Sequence, residues 1–240
     1  MHVGFILDGN GRWAASKSLP RSIGHKKGAE NVEAILKTCK NLGIATVTLY
    51  AFSTENWSRP VFEVKALMKL FHYYLKKKLT MLYQENVKVV IIGEISPFPK
   101  VIQDYIRNLE ELTKNNDGMC LNLAMNYGGR SEIVKATKEI VKAISDGIIR
   151  INDIDEHLFS QYLYTHGQND PDLIIRTAGE KRLSNFLLWQ SAYSELYFVE
   201  KNWPDFTQSD LVEALNYFNS RKRKFGSLET VEKSVRNRVS

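Results

Sequence analysis

The sequence predicts one α/β domain over residues 1–240, built on a mostly parallel six-stranded sheet with helices on both faces. Three observations predict it. Short runs rich in β-branched and aromatic residues alternate with longer segments whose apolar residues recur at helical spacing. The order strand–helix–strand persists almost to the end, as crossover connections between parallel strands require. Neither an internal repeat nor a low-complexity stretch nor a linker divides the 240 residues, a length that one core can serve.

The first strand is the apolar run at residues 3–7, too short for a helix. Asp8, Gly9, Asn10 and Gly11 stop it with four turn-forming residues, two of them glycines free to adopt positive φ. The strand thus delivers one carboxylate to its C-terminal end, followed by a loop whose backbone N–H groups can approach a ligand. Arg12 adds a planar fork of donors that suits phosphate oxygens. An anion site that also holds a carboxylate makes sense when a divalent cation lies between the two. An ordinary βα turn is the plainer alternative.

Residues 13–20 read as a linker. Residues 26–42 read as a helix, with Ala29, Val32, Ile35, Leu36, Cys39 and Leu42 at helical spacing and Gly43 as its stop. A second strand at 44–52 leaves through the polar loop 53–59, and Pro60 opens a long helix carrying Leu67, Phe71, Leu75 and Leu82. A third strand at 87–93 precedes a helix at 100–116, with Ile102, Ile106, Leu109 and Leu112 on one face. The fourth strand, 119–126, exits through Tyr127, Gly128, Gly129 and Arg130. Ser131 is placed to cap the next helix, whose Ile133, Val134, Ile140, Val141 and Ile144 are expected to face the core until Gly147 ends it. A short helix at 155–164, a fifth strand at 172–177, a short apolar helix near 186–192, a sixth strand at 195–199 and a last helix at 207–224 complete the chain.

Hydrophobic residues at 43% and charged residues at 25% are values of a soluble globular protein. The two cysteines, Cys39 and Cys120, fall inside a predicted helix and strand without a CxxC pattern, which predicts buried reduced thiols in a cytoplasmic protein. No segment approaches the ~20 apolar residues that cross a bilayer, and the N-terminus lacks a signal-peptide pattern. The net charge of +6 favours anionic partners without choosing among phosphates, nucleic acid and lipid headgroups.

Ligands of an open parallel sheet bind outside the carboxyl ends of its strands. Four Arg-bearing loops fall at that edge, at residues 8–12, 53–59, 126–130 and 176–185. Together they predict an anion site. The last loop brings Arg176, Arg182 and Ser184 together, enough donors for a second diphosphate. His25, beside Arg21, suits a general base or an anion donor equally. The acids of residues 153–157 (DIDEH) look like a metal cluster but are better read as decorating a helix start. The helix carrying Phe71, Tyr73, Tyr74 and Tyr83 is core by default and can also line an apolar tunnel. The basic run 221–224 (RKRK) is read as a solvated helix end, with a membrane-surface patch or a phosphate clamp for another subunit as alternatives.

The stretches HVGFILDGNGRWA, RSIGH, LYAFSTENWSRP with Glu63, LNLAMNYGGR, IIRTAGEKRLSNFLLWQSAYSELYF and WPDF together resemble the cis-prenyltransferase family, in its bacterial undecaprenyl diphosphate synthase branch. They run in the family's order from residue 2 to about residue 226. The resemblance implies a homodimer with an apolar tunnel between sheet and helices. It implies Mg²⁺-dependent condensation of isopentenyl diphosphate onto an allylic diphosphate such as farnesyl diphosphate. Each new double bond is cis, and the product is a long lipid-carrier precursor such as undecaprenyl diphosphate. A peripheral contact at the inner face of the membrane, for product release, fits the same expectation.

Carried onto this chain, the resemblance makes Asp8 the essential acid and metal ligand. Gly9, Asn10, Gly11, Arg12, Trp13, Arg21 and His25 hold the allylic diphosphate, and Arg176, Arg182 and Ser184 hold isopentenyl diphosphate. Glu195 helps the metal from across the dimer interface. Ser53, Glu55, Asn56, Trp57 and Arg59 form a loop that moves over the substrates, with Asn56 near the proton that must leave. The physics agrees with this assignment. Breaking an allylic C–O bond puts negative charge on pyrophosphate and positive charge on carbon, which a cation with a ring of Arg and a dry pocket stabilise in turn. The growing chain gains ~0.8 kcal/mol per buried CH₂ from an apolar tunnel.

Three departures stand out. Ala178 replaces a Gly common in the family, Lys181 replaces a His of some members, and Lys224-Phe225-Gly226 replaces an Arg-Phe-Gly whose Arg reaches the partner subunit. Two rival readings fit the sequence less well. A noncatalytic binding subunit of this fold is expected to lose the strand-end acid and phosphate loops, yet Asp8, Arg176, Arg182 and Glu195 are present. A nucleic-acid-binding protein needs a basic stripe with interleaved aromatics, whereas these arginines sit at strand ends beside acids, so no nucleic-acid partner is expected. The DDxxD motif of the all-helical trans-prenyltransferases is missing from the sequence.

Overall fold

Six strands pair in the order β3-β4-β2-β1-β5-β6, and every neighbour runs parallel. They are β1 (His2–Ile6), β2 (Thr46–Ser53), β3 (Lys88–Ile92), β4 (Cys120–Tyr127), β5 (Leu173–Arg176) and β6 (Glu195–Phe198). The computed structural model describes residues 1–221, apart from the side chains of residues 78–80. Because all strands point one way, all their carboxyl ends open on one edge. The chain leaves β1 toward β2 on one side, while β5 and β6 lie on the other. The seam between β1 and β5 is therefore where the connections diverge, the usual position of a ligand crevice in such sheets.

Alternation along the strands divides the core in two. Val3 and Phe5 of β1, Leu49 of β2, Leu121 of β4 and Ile175 of β5 face the larger layer, under α2 (Arg21–Asn41), α3 (Val61–Gln84), α4 (Lys100–Thr113) and α7 (Gln208–Ser220). Ile6, Ala124 and Ile174 face a smaller layer closed by Phe186 and Leu187. Further from the sheet's carboxyl edge, that second face carries a buried polar chain. His2 Nε2 lies 2.7 Å from Thr48 Oγ1, Asn122 Nδ2 donates to the same oxygen at 2.9 Å, and Asn122 and Gln168 pair through their amides. A bulge at Ala51 shifts the β2–β4 register, so Phe52 joins the larger layer although Tyr50, two residues earlier, faces the smaller one.

The structure corrects several expectations. The expected linker at 13–20 opens inside a helix, α1 (Asn10–Ser16), whose seven residues are too few to display a period. Helix α2 starts at Arg21 rather than at residue 26. Its first turns meet α1 through glycines, and a seam without apolar side chains leaves no hydrophobic signature. A Cβ at Gly24 would stand 2.0 Å from the Asn10 carbonyl oxygen, and one at Gly28 would stand 2.0 Å from Asn10 Oδ1. Ser131 does not cap α5 (Gly129–Ser145), which begins after Gly128; its hydroxyl donates back to the Gly128 carbonyl. Val134 and Val141 are exposed, while Ala136, Ile140 and Ala143 are buried. No helix forms near 186–192. Left-handed backbone at Ser184, Asn185 and Leu187 turns the chain so that Phe186 lies on the sheet, stacked 4.7 Å from Tyr50.

The DIDEH acids sit as the helix-start reading expects. Asp155 accepts the Leu158 N–H at the start of α6 (Glu156–Gln161). Cys39 is buried, and burial pushes its thiol up to about 12; Cys120 is half-buried. Both are free thiols. Of the basic run, residues 222–224 lie outside the described residues, as does Lys224-Phe225-Gly226. Among the described residues no helix is long and apolar enough to cross a membrane.

Candidate active site

Asp8 follows β1, and Arg176 is the last residue of β5, in register with Ile6. That register puts the two side chains together. Arg176 Nη2 lies 3.0 Å from Asp8 Oδ2, and Arg12 Nη2 approaches the same oxygen at 3.1 Å. Asp8 Oδ1 accepts the Gly9 N–H at 2.7 Å. Burial works against ionisation of Asp8, but the bonds from Arg176, Gly9 and Arg12 outweigh it and hold the carboxyl below its ordinary value. Gly9 has φ +96°, and a Cβ there would stand 2.3 Å from Asn202 Oδ1. Only glycine makes that turn.

On the far side of Asp8, the other arm of Arg176 donates to Ser184 Oγ at 2.7 Å and to the Arg182 carbonyl. The fork predicted for substrate thus also ties Asp8 to the loop bearing Ser184. The Arg182 guanidinium is exposed and pairs with Glu180, which Arg12 Nη1 also reaches at 3.2 Å. Ala178 has φ +70°, a left-handed backbone that glycine would adopt without cost, and its carbonyl accepts from Arg12. Lys181 is exposed.

A second charged centre forms around Glu63, to which the sequence reading gave no role. Its carboxylate is 6% exposed and receives Arg59 at 3.1 Å, Arg21 at 3.3 Å and His25 at 3.4 Å. Burial opposes its charge, yet Arg21 and Arg59 with His25 bring its carboxyl below the ordinary value. Burial lowers the His25 imidazole despite Glu63. The signal for Glu63 was its spacing, four residues after Arg59 on a helix start. A Cβ at Gly11 would stand 2.8 Å from the Arg21 guanidinium, so this centre reaches the Asp8 loop.

Residues 53–59 form a 3-10 turn, Thr54–Ser58, rather than an open loop. Asn56 Oδ1 accepts the Ser53 N–H at 3.2 Å, and Trp57 Nε1 donates to Asn126 Oδ1 at 2.9 Å. The Trp57 ring packs on Phe52 and Phe98. Glu55 accepts from Asn185. Trp13 is buried, its indole N–H on Asp205, so it anchors α1.

Glu195 stands apart from these centres. It opens β6 level with Leu173, about 10 Å from the carboxyl edge at ~3.3 Å per residue, and pairs with Arg221 at 3.5 Å. Within one chain it does not join Asp8. Among the described residues no group of three or more His, Cys, Asp and Glu could hold a metal.

Below the edge, an apolar cavity of about 160 Å³ lies between sheet and helices. Leu7, next to Asp8, lines it, as do Leu121, Leu123 and Met125 of β4 and Phe71 and Leu75 of α3.

An arginine-bearing edge above an apolar cavity is the arrangement suited to a molecule with an ionic head and a greasy tail. Comparison with known proteins gives the arrangement its family. Residues 6–226 match the family model described as "Putative undecaprenyl diphosphate synthase". The chain is 51% identical over 96% of its length to an isoprenyl transferase of Prochlorococcus marinus, covering 85% of that relative. It is 47% identical over 95% of its length to a Buchnera aphidicola protein named ditrans,polycis-undecaprenyl-diphosphate synthase, (2E,6E)-farnesyl-diphosphate specific, covering 91% of it. Among solved structures it resembles lavandulyl diphosphate synthase from Lavandula x intermedia in complex with dimethylallyl diphosphate. That likeness has a TM-score of 0.91 and 40% identity, and it covers 94% of this chain and 97% of that one. The chain belongs to the undecaprenyl diphosphate synthase family of cis-prenyltransferases, and it is a prenyl-chain-elongating enzyme.

Proposed function

We propose that the protein condenses isopentenyl diphosphate onto farnesyl diphosphate with Mg²⁺, repeatedly and in cis, to give undecaprenyl diphosphate. The observation that carries this reading is the placement of Asp8 between Arg12 and Arg176, next to Leu7 at the head of the apolar cavity. The donor set fits Mg²⁺. A single partly exposed carboxylate offers hard oxygen, and Mg²⁺ is commonly bound by one or two carboxylates plus substrate phosphates. Asp8 would hold the ion, with Glu195 of a second copy completing the site in a homodimer. Bound there, the ion supplies charge neutralisation for the departing pyrophosphate.

The chain's own residues divide the remaining work. The Gly9–Gly11 backbone, Asn10, Arg12, Arg21 and His25 bind the allylic diphosphate, with Glu63 orienting Arg21, His25 and Arg59. Trp13 fixes α1 behind them. Arg182 and Ser184 bind isopentenyl diphosphate, and Arg176 fixes both to Asp8. When the allylic C–O bond breaks, its electron pair leaves on pyrophosphate, and the terminal carbon of the isopentenyl double bond attacks the freed carbon. The methylene beside the resulting cationic carbon gives up a proton to the released pyrophosphate. The Ser53–Arg59 segment covers the reacting ends and excludes water, with Asn56 beside the leaving proton. A cavity of about 160 Å³ holds only the first units of a product. As the chain lengthens, α3, which contributes Phe71 and Leu75, has to yield. Exposed Val61 and Phe62 at the start of α3 support peripheral contact with a membrane.

Incubation with farnesyl diphosphate, labelled isopentenyl diphosphate and Mg²⁺, followed by sizing of the extracted lipid, tests the reading. A ladder ending at undecaprenyl length is expected and should vanish with chelator. Absence of any labelled lipid would refute it.

A further inference from the structure

Asn185 joins three segments: its own loop after Ser184, the start of α5 and the turn at Thr54–Ser58. It follows Ser184 and has φ +66°, a left-handed backbone that Asn tolerates better than most residues. Its backbone carbonyl accepts the Gly129 N–H at 2.7 Å, and its side-chain carbonyl accepts the Arg130 N–H at 2.8 Å. These are the first two amides of α5, a helix whose own N-cap residue provides no side-chain bond. The remaining group, Nδ2, donates to Glu55 Oε1 at 2.9 Å, in the turn proposed to cover the reacting ends.

Gly128 gives a second, steric observation. A Cβ there would stand 2.6 Å from Asn185 Nδ2 and 2.8 Å from Thr54 Oγ1. Its φ of −160° is ordinary extended backbone, so the position requires glycine for space alone. Both loops close onto the room that this missing side chain leaves.

We infer that Asn185 is a positioning residue that couples the two substrate sites, holding the 54–58 turn and the 182–185 loop in register through its bond to Glu55. The inference rests on the reading above, in which the turn covers the reacting ends and leads through Arg59 into the Glu63 centre beside Arg21 and His25, while the loop binds isopentenyl diphosphate. A substrate that orders one segment then pre-arranges the other, and such coupling is reciprocal.

Asn185→Asp isolates the link. It keeps the shape, the tolerance for left-handed backbone and both acceptors toward α5, where a negative charge near a helix start is favourable. It replaces only the donor facing Glu55, setting two carboxylates against each other. Glu55→Gln in the same chain then supplies a donor from the other side. The experiment measures kcat and both KM values for wild type, Asn185→Asp, Asn185→Asp/Glu55→Gln and Gly128→Ala, with circular dichroism confirming folding. Asn185→Asp should raise both KM values, by about ten-fold each. The double variant should recover most of that loss, and Gly128→Ala should reproduce the joint rise. Failure of the double variant to recover would overturn the coupling, as would a rise confined to isopentenyl diphosphate. A wild-type enzyme inactive toward both diphosphates would instead count against the proposed function, so the two failures are distinguishable.

Discussion

Asp8 and Arg176 meet across the β1–β5 seam at 3.0 Å, the carboxylate partly open to solvent and the guanidinium 4% exposed. The pair sits where the sheet's connections diverge. It makes Asp8 a structural partner as well as the proposed metal ligand. An exposed strand-end acid by itself contributes little to packing, but this one neutralises a buried charge.

Replacement of Asp8 therefore separates into two effects. Asp8→Asn and Asp8→Ala should both cut turnover by orders of magnitude, because neither offers a carboxylate to a cation. Asp8→Ala should also cost about 1–3 kcal/mol of stability, since Arg176 loses a buried partner. Asp8→Asn keeps a hydrogen-bond acceptor and should cost less. Melting curves beside product assays check this, and near-normal turnover in either variant would remove Asp8 from the chemistry.

Arg176→Lys and Arg182→Lys should behave differently. Arg182 is exposed and its guanidinium pairs with Glu180, so its Lys variant should raise the KM for isopentenyl diphosphate selectively. Arg176 uses its fork on Asp8, Ser184 and the Arg182 carbonyl, a geometry that one ammonium does not reproduce. Its Lys variant should lower kcat as well. Steady-state kinetics with each substrate varied in turn would tell, and identical profiles would reject the division.

Acid should weaken the fold through His2. The imidazole is 2% exposed, with Nδ1 2.8 Å from the Asn169 carbonyl and Nε2 on Thr48. Burial lowers its pKa below the ordinary 6.5, although Asn169 and Asp172 pull the other way. The unfolded chain then takes up the proton first on acidification. The stabilisation is complete above the unfolded value and is lost as pH falls toward the lower folded one. His25, also lowered by burial, has the same sign. Between about pH 7.5 and about pH 5.5 the wild-type Tm should fall more steeply than that of His2→Gln. Parallel slopes would exclude His2 as a source.

Chain length is the subtlest expectation. Leu121, Leu123 and Met125 line the cavity, and Met119 falls at the same alternation two residues before Leu121, 6% exposed. Met119 is not itself among the lining residues; it continues their line along β4 one step beyond Leu121. Met119→Ala should deepen the cavity and lengthen the products, at a cost of roughly 2–5 kcal/mol. Met125→Ala, nearer the diphosphate edge, should change affinity for the allylic substrate more than product size. An unchanged distribution from a folded Met119→Ala enzyme would make Met119 plain core filling.

Much of the molecule was legible from residue patterns alone. Six strands, the helices α2 to α7 and the polar edge followed from periodicity and from turn residues, since burial of one face leaves a period in the sequence. Asp8, Arg12, Arg176 and Ser184 were legible because strand-end loops in a parallel sheet share one edge whatever the pairing. Helix α1 was hidden because it is short and seated on glycines. The segment at 186–192 looked helical because its residues are apolar; their burial comes from left-handed turns that composition does not encode.

Partners are another matter. A side chain's type says that it can pair, while the register decides with whom. The Ile6↔Arg176 register put Arg176 on Asp8, and helix α3 brought Glu63 beneath Arg21 and His25, which lie 42 and 38 residues away in sequence. Asn185 read as an ordinary loop residue until the β4 exit, the 3-10 turn and its own loop closed around Gly128. Local sequence specifies chemistry and period, which act over a few residues. The ion pairs and the two-loop junction depend on distances between segments far apart in the chain, and those exist only once the sheet has chosen its strand order.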